Sequence, residues 1–169
     1  MKAMVIGCPG SGKSRFSKLL GQYSGTPVWH LDRMYWNSDR TNVGREELIR
    51  RQLAVMENES WILDGNYAGT MQLRFDRCDT VYFLDYGTEI CISGIRQRMG
   101  TKHDDLPWSE PEQEDEEFLR FVREYRENSR SGVLRMLENA KDRQVFIFSS
   151  CEEANRYLRE CFPEAAVPD

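Results

Sequence analysis

Short apolar runs alternate with stretches of helical periodicity along the chain. Met4-Val5-Ile6 lies in a first strand, Lys2 to Ile6, and Phe16, Leu19 and Leu20 recur at helical spacing in a helix from Lys13 to about Tyr23. Ser24-Gly25-Thr26-Pro27 ends that helix. Val28-Trp29-His30-Leu31 reads as a second buried strand ending at Asp32, with a polar and aromatic loop from Arg33 to Asn42 behind it. A helix from Gly44 to about Asn58 leads to a third strand, Trp61-Ile62-Leu63, which ends at Asp64-Gly65. A short helix from Thr70 to Arg77, a fourth strand from Val81 to Leu84 ending at Asp85, and a helix from Thr88 to about Met99 follow. Gly100 to Asp115 is polar, carries Pro107 and Pro111, and is predicted to be the least structured part. Phe118, Phe121, Val122 and Tyr125 then mark a helix face at i, i+3, i+4, i+7, and a related face continues through Val133, Leu134 and Leu137. Val145 to Phe148 is the last strand and Ala154 to Cys161 the last helix. This alternation predicts an α/β fold: one domain over residues 1–169, with helices on both faces of a parallel sheet and a mobile insertion. Ligands of such sheets sit at the C-terminal strand ends, where Asp32, Asp64 and Asp85 are expected.

Composition narrows the class. The 169 residues suffice for one core, and the formal net charge is −5. With no block rich in Lys and Arg, nucleic acid is not an expected partner. No run of about 18 apolar residues predicts a membrane span. The first strand runs straight into a glycine-rich loop, so no signal peptide is expected. Five cysteines, odd in number and without a C-x-x-C pair, read as reduced thiols of a cytoplasmic protein. The oligomeric state, a homodimer included, stays open.

The strongest chemical signal is Gly7-Cys8-Pro9-Gly10-Ser11-Gly12-Lys13-Ser14, which reads G-x-x-x-x-G-K-S between a strand and a helix. Glycines let the backbone curl around phosphate, and the helix N-terminus meets its negative charge. Lys13 would reach the outer phosphates, and the Ser14 hydroxyl would help hold Mg²⁺. Pro9, Ser11 and Arg15 belong to the same nucleotide-binding segment. Asp64, ahead of Gly65-Asn66-Tyr67, is the preferred second metal residue. Asp85, at the end of an apolar strand, is the alternative.

Asp32 lies beside His30, Arg33, Tyr35 and Trp36, where a carboxylate could take a proton from an acceptor hydroxyl between aromatic walls. His30 reads as a packed or hydrogen-bonded core histidine, and His103 as a solvated one. Phosphoryl transfer leaves negative charge for cations to stabilise. Arg74 could bind the acceptor. Arg96 and Arg98 open the insertion, and Arg123, Arg126 and Arg130 close it on one helix face. An arginine-lined helix beside a Gly/Pro-bounded loop suits a lid, at about residues 97–130. Glu112 to Glu117 reads as a solvated acidic helix start.

Together, Gly-Cys-Pro-Gly-Ser-Gly-Lys-Ser, His-Leu-Asp-Arg-Met-Tyr-Trp, Trp-Ile-Leu-Asp-Gly-Asn-Tyr and the arginine-flanked insertion resemble the adenylate-kinase-like P-loop kinases. Within these the resemblance is greatest to the group called DNA topology modulation proteins. It implies a three-layer α/β/α fold with a five-stranded parallel sheet in the order 2-3-1-4-5 and a helical lid. It also implies that Gly10, Gly12, Lys13 and Ser14 bind ATP phosphates and Mg²⁺. Asp64 matches the Asp of an Asp-Gly-Phe-Pro-Arg segment, but Asn66-Tyr67 replaces Phe-Pro and no arginine follows, so AMP need not be the acceptor. Arg15 stands where many relatives carry threonine and is expected to face outward, with little effect on phosphate. Arg96-Gln97-Arg98 leaves the adenine-stacking arginine open between the two, and a lid without cysteine excludes a zinc-bound lid. The function implied is transfer of the γ-phosphoryl of MgATP to a small acceptor, a nucleotide or nucleoside among the options. The competing function is an ATP-binding regulator without robust kinase activity.

Overall fold

The structure, a computed structural model, describes residues 1–164. Five parallel strands form one sheet in the order β2-β3-β1-β4-β5. They are β1 (Lys2–Gly7), β2 (Val28–His30), β3 (Trp61–Asp64), β4 (Thr80–Leu84) and β5 (Gln144–Phe148). The central strand β1 pairs with β3 on one side (Val5 opposite Asp64) and with β4 on the other (Gly7 opposite Leu84). This register brings the end of β1, where the glycine-rich loop begins, level with Asp64 and Leu84.

Alternation along β1 divides the core between two faces. Ala3 and Val5 join Phe16, Leu20, Tyr82, Cys91, Val122 and Leu158 on one face. Met4 and Ile6 join Leu31, Leu48, Trp61, Phe83 and Val133 on the other. The first face is covered by α1 (Lys13–Ser24), α5 (Thr88–Arg98), α6 (Glu116–Asn128) and α8 (Cys151–Cys161). The second is covered by α2 (Leu31–Tyr35), α3 (Gly44–Met56), α4 (Ala68–Phe75) and α7 (Arg130–Leu137). Among the described residues no helix is long and apolar enough to cross a membrane.

Two readings of the pattern are corrected. The second strand stops at His30, because its partner β3 ends at Asp64, and Leu31 instead begins a five-residue helix. Leu31 is fully buried against Gly65, where a Cβ would stand 2.9 Å from the Leu31 Cβ; with φ of 124° as well, this turn requires glycine. Asp32 therefore sits in the first turn of α2, not at a strand end. On α6 the buried row is Leu119, Val122 and Tyr125, while Phe118 and Phe121 are exposed. The residue at 119 completes a 3-3 spacing that the aromatic frame beginning at 118 passes over.

Helix α5 lies against the glycine-rich loop through two glycines. A Cβ on Gly10 would stand 2.0 Å from the Cys91 carbonyl oxygen, and one on Gly94 would stand 2.1 Å from the Gly10 carbonyl oxygen. Alanine ordinarily stabilises a helix interior by about 1 kcal/mol over glycine. Here Gly94→Ala is expected to lower stability by about 1–3 kcal/mol, as overpacking does, and to weaken nucleotide binding. Thermal unfolding with and without ATP checks both; a rise in Tm would contradict the close approach.

Candidate phosphate-binding site and acceptor cleft

The loop after β1 is built to receive anions. Gly10 and Gly12 adopt φ of 82° and 81°, and Gly12 gives α1 no side-chain cap and no acid in its first turn. The orphan amides of that turn are thus left for a ligand. The Ser11 Oγ in the loop is buried without a partner. Lys13 donates from Nζ to the Cys8 carbonyl at 3.1 Å and so folds back over the loop. An open groove of about 1060 Å³ runs from Gly10, Gly12 and Ser14 past Arg15 and Tyr86 to Arg98, His103 and Asp105. These features fit a nucleoside triphosphate, with phosphates on the loop and the rest of the molecule along the groove.

The second wall of the site comes from the turn after β3. Asn66 clamps the glycine-rich loop with a reciprocal pair of bonds: Gly7 N donates to Asn66 Oδ1 at 3.0 Å, and Asn66 Nδ2 donates to the Gly7 carbonyl at 2.7 Å. Tyr67 takes a left-handed conformation (φ 41°, ψ 65°), unfavourable for a residue with a bulky side chain. Its hydroxyl donates to Asp32 Oδ1 at 2.7 Å. Burial pushes the Asp32 carboxyl above its ordinary value; the Tyr67 hydroxyl and Lys13 pull it back only in part, and the charges of Asp64 and Asp105 push it further up. The same burial, with the Asp32 charge, pushes the Tyr67 hydroxyl well up, so it stays a donor.

Asp64 is buried, and its Oδ2 lies 2.9 Å from His30 Nδ1, which makes His30 the hydrogen-bonded histidine the strand position suggests. Asp85 is taken by arginines: Arg130 binds both its oxygens at 2.6–2.9 Å, and Arg126 lies at 3.8 Å while donating to the Tyr86 carbonyl. Arg126 and Arg130 are therefore held at the end of β4. Arg123 turns elsewhere, to Glu116.

Arg74 is not an acceptor ligand in this structure. It is fully buried, and donates to Gln52, Thr70 and the carbonyls of Gly65 and Asn66. Its guanidinium holds the turn that carries Asn66 and Tyr67. Burial lowers its pKa to about 10, which keeps it cationic at neutral pH.

The insertion is more ordered over the loop than its polar sequence suggests. Asp105 is 3% exposed, accepts from Arg98 Nη2 at 3.1 Å and lies beside the Ser14 hydroxyl. Burial alone would raise its carboxyl, but the Ser14 hydroxyl and the Arg98 guanidinium outweigh it, so Asp105 ionises below the usual carboxylate range. Arg98 also pairs with Glu110 and lines the groove; Arg96 pairs with Glu114 and does not line it. His103 is bonded to Thr101 at 2.6 Å and lines the groove, so it is more than a solvated side chain. Arg15 donates to Asn155 at 3.1 Å and to Cys151 at the groove edge. Asp105, Asn66 and Tyr67 are the site residues that sequence reading passed over. Only Asn66-Tyr67 left a trace, as a departure from the related Phe-Pro.

The fold is a five-stranded parallel sheet in the order β2-β3-β1-β4-β5 with helices on both faces and a G-x-x-x-x-G-K-S loop after its central strand. The chain is similar in structure to the shikimate kinase of Bacteroides thetaiotaomicron, with a TM-score of 0.58 and 17% identity over 95% of this chain and 97% of that one. At that identity the likeness is one of fold. No family model and no curated protein matches the chain.

Proposed function

We propose that the protein is an ATP-dependent phosphotransferase acting on a hydroxyl of a small molecule. The observation that carries this reading is the placement of Asp32: its carboxyl is raised by burial, oriented by Tyr67, and close enough to Lys13 for their charges to interact. A bare nucleotide-binding protein has no need of such a group. A carboxylate whose pKa is moved toward neutrality is a better general base than an ordinary one.

The roles divide as follows. The amides at Gly12, Lys13 and Ser14, with the loop from Gly7 through Pro9, Gly10 and Ser11, hold the phosphates. Lys13 moves from the Cys8 carbonyl to the phosphoryl group in transfer and offsets its charge. Asp32 takes the proton of the acceptor hydroxyl as that oxygen bonds to the γ-phosphorus, and the bond from phosphorus to the bridging oxygen breaks to release ADP. Magnesium bound with the nucleotide supplies further charge neutralisation, and Ser14 would hold it. Asp64 reads as the carboxylate nearest that task on the loop side, since Asp85 is neutralised by Arg126 and Arg130. Of the two arginines, Arg98 is proposed to meet the base, since it lines the groove and Arg96 does not; Arg15 borders the same groove.

The test is ADP release from MgATP in the presence of a panel of hydroxylated acceptors. Acceptor-dependent release is expected, and Lys13→Ala should lower it by on the order of 10²-fold. ATP binding without stimulation by any acceptor would sink the reading.

A further inference from the structure

The pairing of β1 with β3 runs one step further than the backbone of β3 does. In a parallel ladder a residue bonds, through its own N–H and C=O, to the neighbours of the residue opposite it. The last such bond from β3 to β1 runs from Gly65 N to the Val5 carbonyl at 3.1 Å, with Val5 opposite Asp64. Two places further on, the same register sets Gly7 opposite Asn66, but there the chain has already turned, with φ of 124° at Gly65 and 41° at Tyr67. The Gly65 carbonyl, which a continued ladder would offer to Gly7, accepts from Arg74 instead. The Asn66 side chain fills the gap. A carboxamide carries the acceptor and donor of a peptide group. Here its oxygen accepts from Gly7 N at 3.0 Å and its nitrogen donates to the Gly7 carbonyl at 2.7 Å.

Gly7 is the point that needs this restraint. It opens the glycine-rich loop and has no side chain by which packing could hold it. None can be added, since a Cβ would stand 2.6 Å from the Leu84 carbonyl oxygen and 2.9 Å from the Ser11 Oγ. Left to itself, glycine samples more backbone conformations than any other residue. The Gly7 N–H belongs to the peptide plane shared with Ile6, and its C=O to the plane shared with Cys8. One amide therefore fixes two successive planes. The second plane leads straight to the Cys8 carbonyl, which accepts from Ser11 N and from Lys13 Nζ, each at 3.1 Å. The curl of the loop and the resting place of Lys13 both start from Gly7.

We infer that Asn66 is a positioning residue for the nucleotide: its amide completes the β1–β3 ladder at Gly7 and so sets the direction in which the phosphate loop leaves the sheet. It acts through Gly7 and not by touching the nucleotide. This rests on the proposed ATP site and not on the identity of the acceptor. Without the amide, the N–H and C=O of the buried Gly7 lose these partners. The two apolar layers still hold the fold, but the loop amides no longer converge on one phosphate position.

Calorimetric titration with Mg²⁺ and a non-hydrolysable ATP analogue, well below the Tm of every protein used, tests this. Asn66→Ala is expected to weaken binding about tenfold, the net worth of two hydrogen bonds. Asn66→Asp keeps the size and the acceptor for Gly7 N but turns an oxygen toward the Gly7 carbonyl, and should weaken binding at least as much. Leu158→Ala is the control for stability alone. Leu158 is fully buried in α8 and does not line the groove. Its truncation should lower Tm at least as far as Asn66→Ala does and leave the affinity at the wild-type value. Wild-type affinity in either Asn66 variant, or an equal loss in Leu158→Ala, overturns the inference and leaves the kinase reading standing. A wild-type protein that does not bind the analogue removes both. One that binds it, loses affinity in the Asn66 variants alone and phosphorylates no acceptor removes the kinase reading only.

Discussion

Replacing Arg74 by methionine is expected to destabilise the protein by about 3–5 kcal/mol, the range for breaking a buried charged network from one side. The change leaves the carbonyls of Gly65 and Asn66, together with Gln52 and Thr70, without their buried donor. For a chain of this size each kcal/mol corresponds to about 2–4 °C, so Tm should fall by more than about 6 °C. Lysine should restore little, since one ammonium cannot present the forked set of donors that these acceptors use. If Arg74→Met instead kept its Tm and lost only affinity for the acceptor, the residue would belong in the cleft and not beneath it.

Asp32→Asn is expected to separate stability from activity. Asparagine can still accept from Tyr67 but cannot take a proton, so acceptor-dependent turnover should fall by on the order of 10³-fold, within the range for general-base removal. Stability should move the other way. The folded protein binds the Asp32 proton more tightly than the unfolded chain does, because burial raises the carboxyl above its ordinary value of 3.8. The favourable contribution is therefore complete below that ordinary value and is lost as pH rises through the raised one. At neutral pH the buried charge is a net burden, and asparagine removes it. A gain on the order of 1 kcal/mol is expected near pH 7, shrinking toward zero at acid pH. The acid limb of kcat/KM in the wild-type protein should lie above the usual carboxylate range. A variant that is less stable at pH 7, or as active as wild type, would refute the assignment.

The sheet was legible because buried parallel strands are continuous apolar runs, and Met4-Val5-Ile6, Trp61-Ile62-Leu63 and Val81 to Leu84 show them plainly. Helix α2 was not, since five residues hold too little periodicity to compete with the strand that precedes them. The glycine-rich loop was legible from its letters because the chemistry demands those residue types at that spacing. Arg74 shows the limit of the same method. An arginine ten residues after a candidate carboxylate suggests anion binding by type, but whether its guanidinium meets a ligand or the carbonyls beneath a turn depends on burial that pattern does not carry. Gly94 is legible only once α5 is seen to rest on Gly10. Asp105 lay hidden in a polar, proline-bearing stretch that is anchored by Arg98 at the end of α5, a pairing that no periodic signal within the stretch itself carries.

The amide clamp between Asn66 and Gly7 has a consequence for how such a protein can change over evolutionary time. Because this side chain ties the turn after β3 to the start of the glycine-rich loop, under the proposed kinase reading a mutation that reshapes the turn for a new acceptor would also disturb the loop proposed to hold ATP. Selection for altered acceptor preference is thereby steered away from residues 64–67. On the same reading it would fall on residues that no bond ties to the glycine-rich loop.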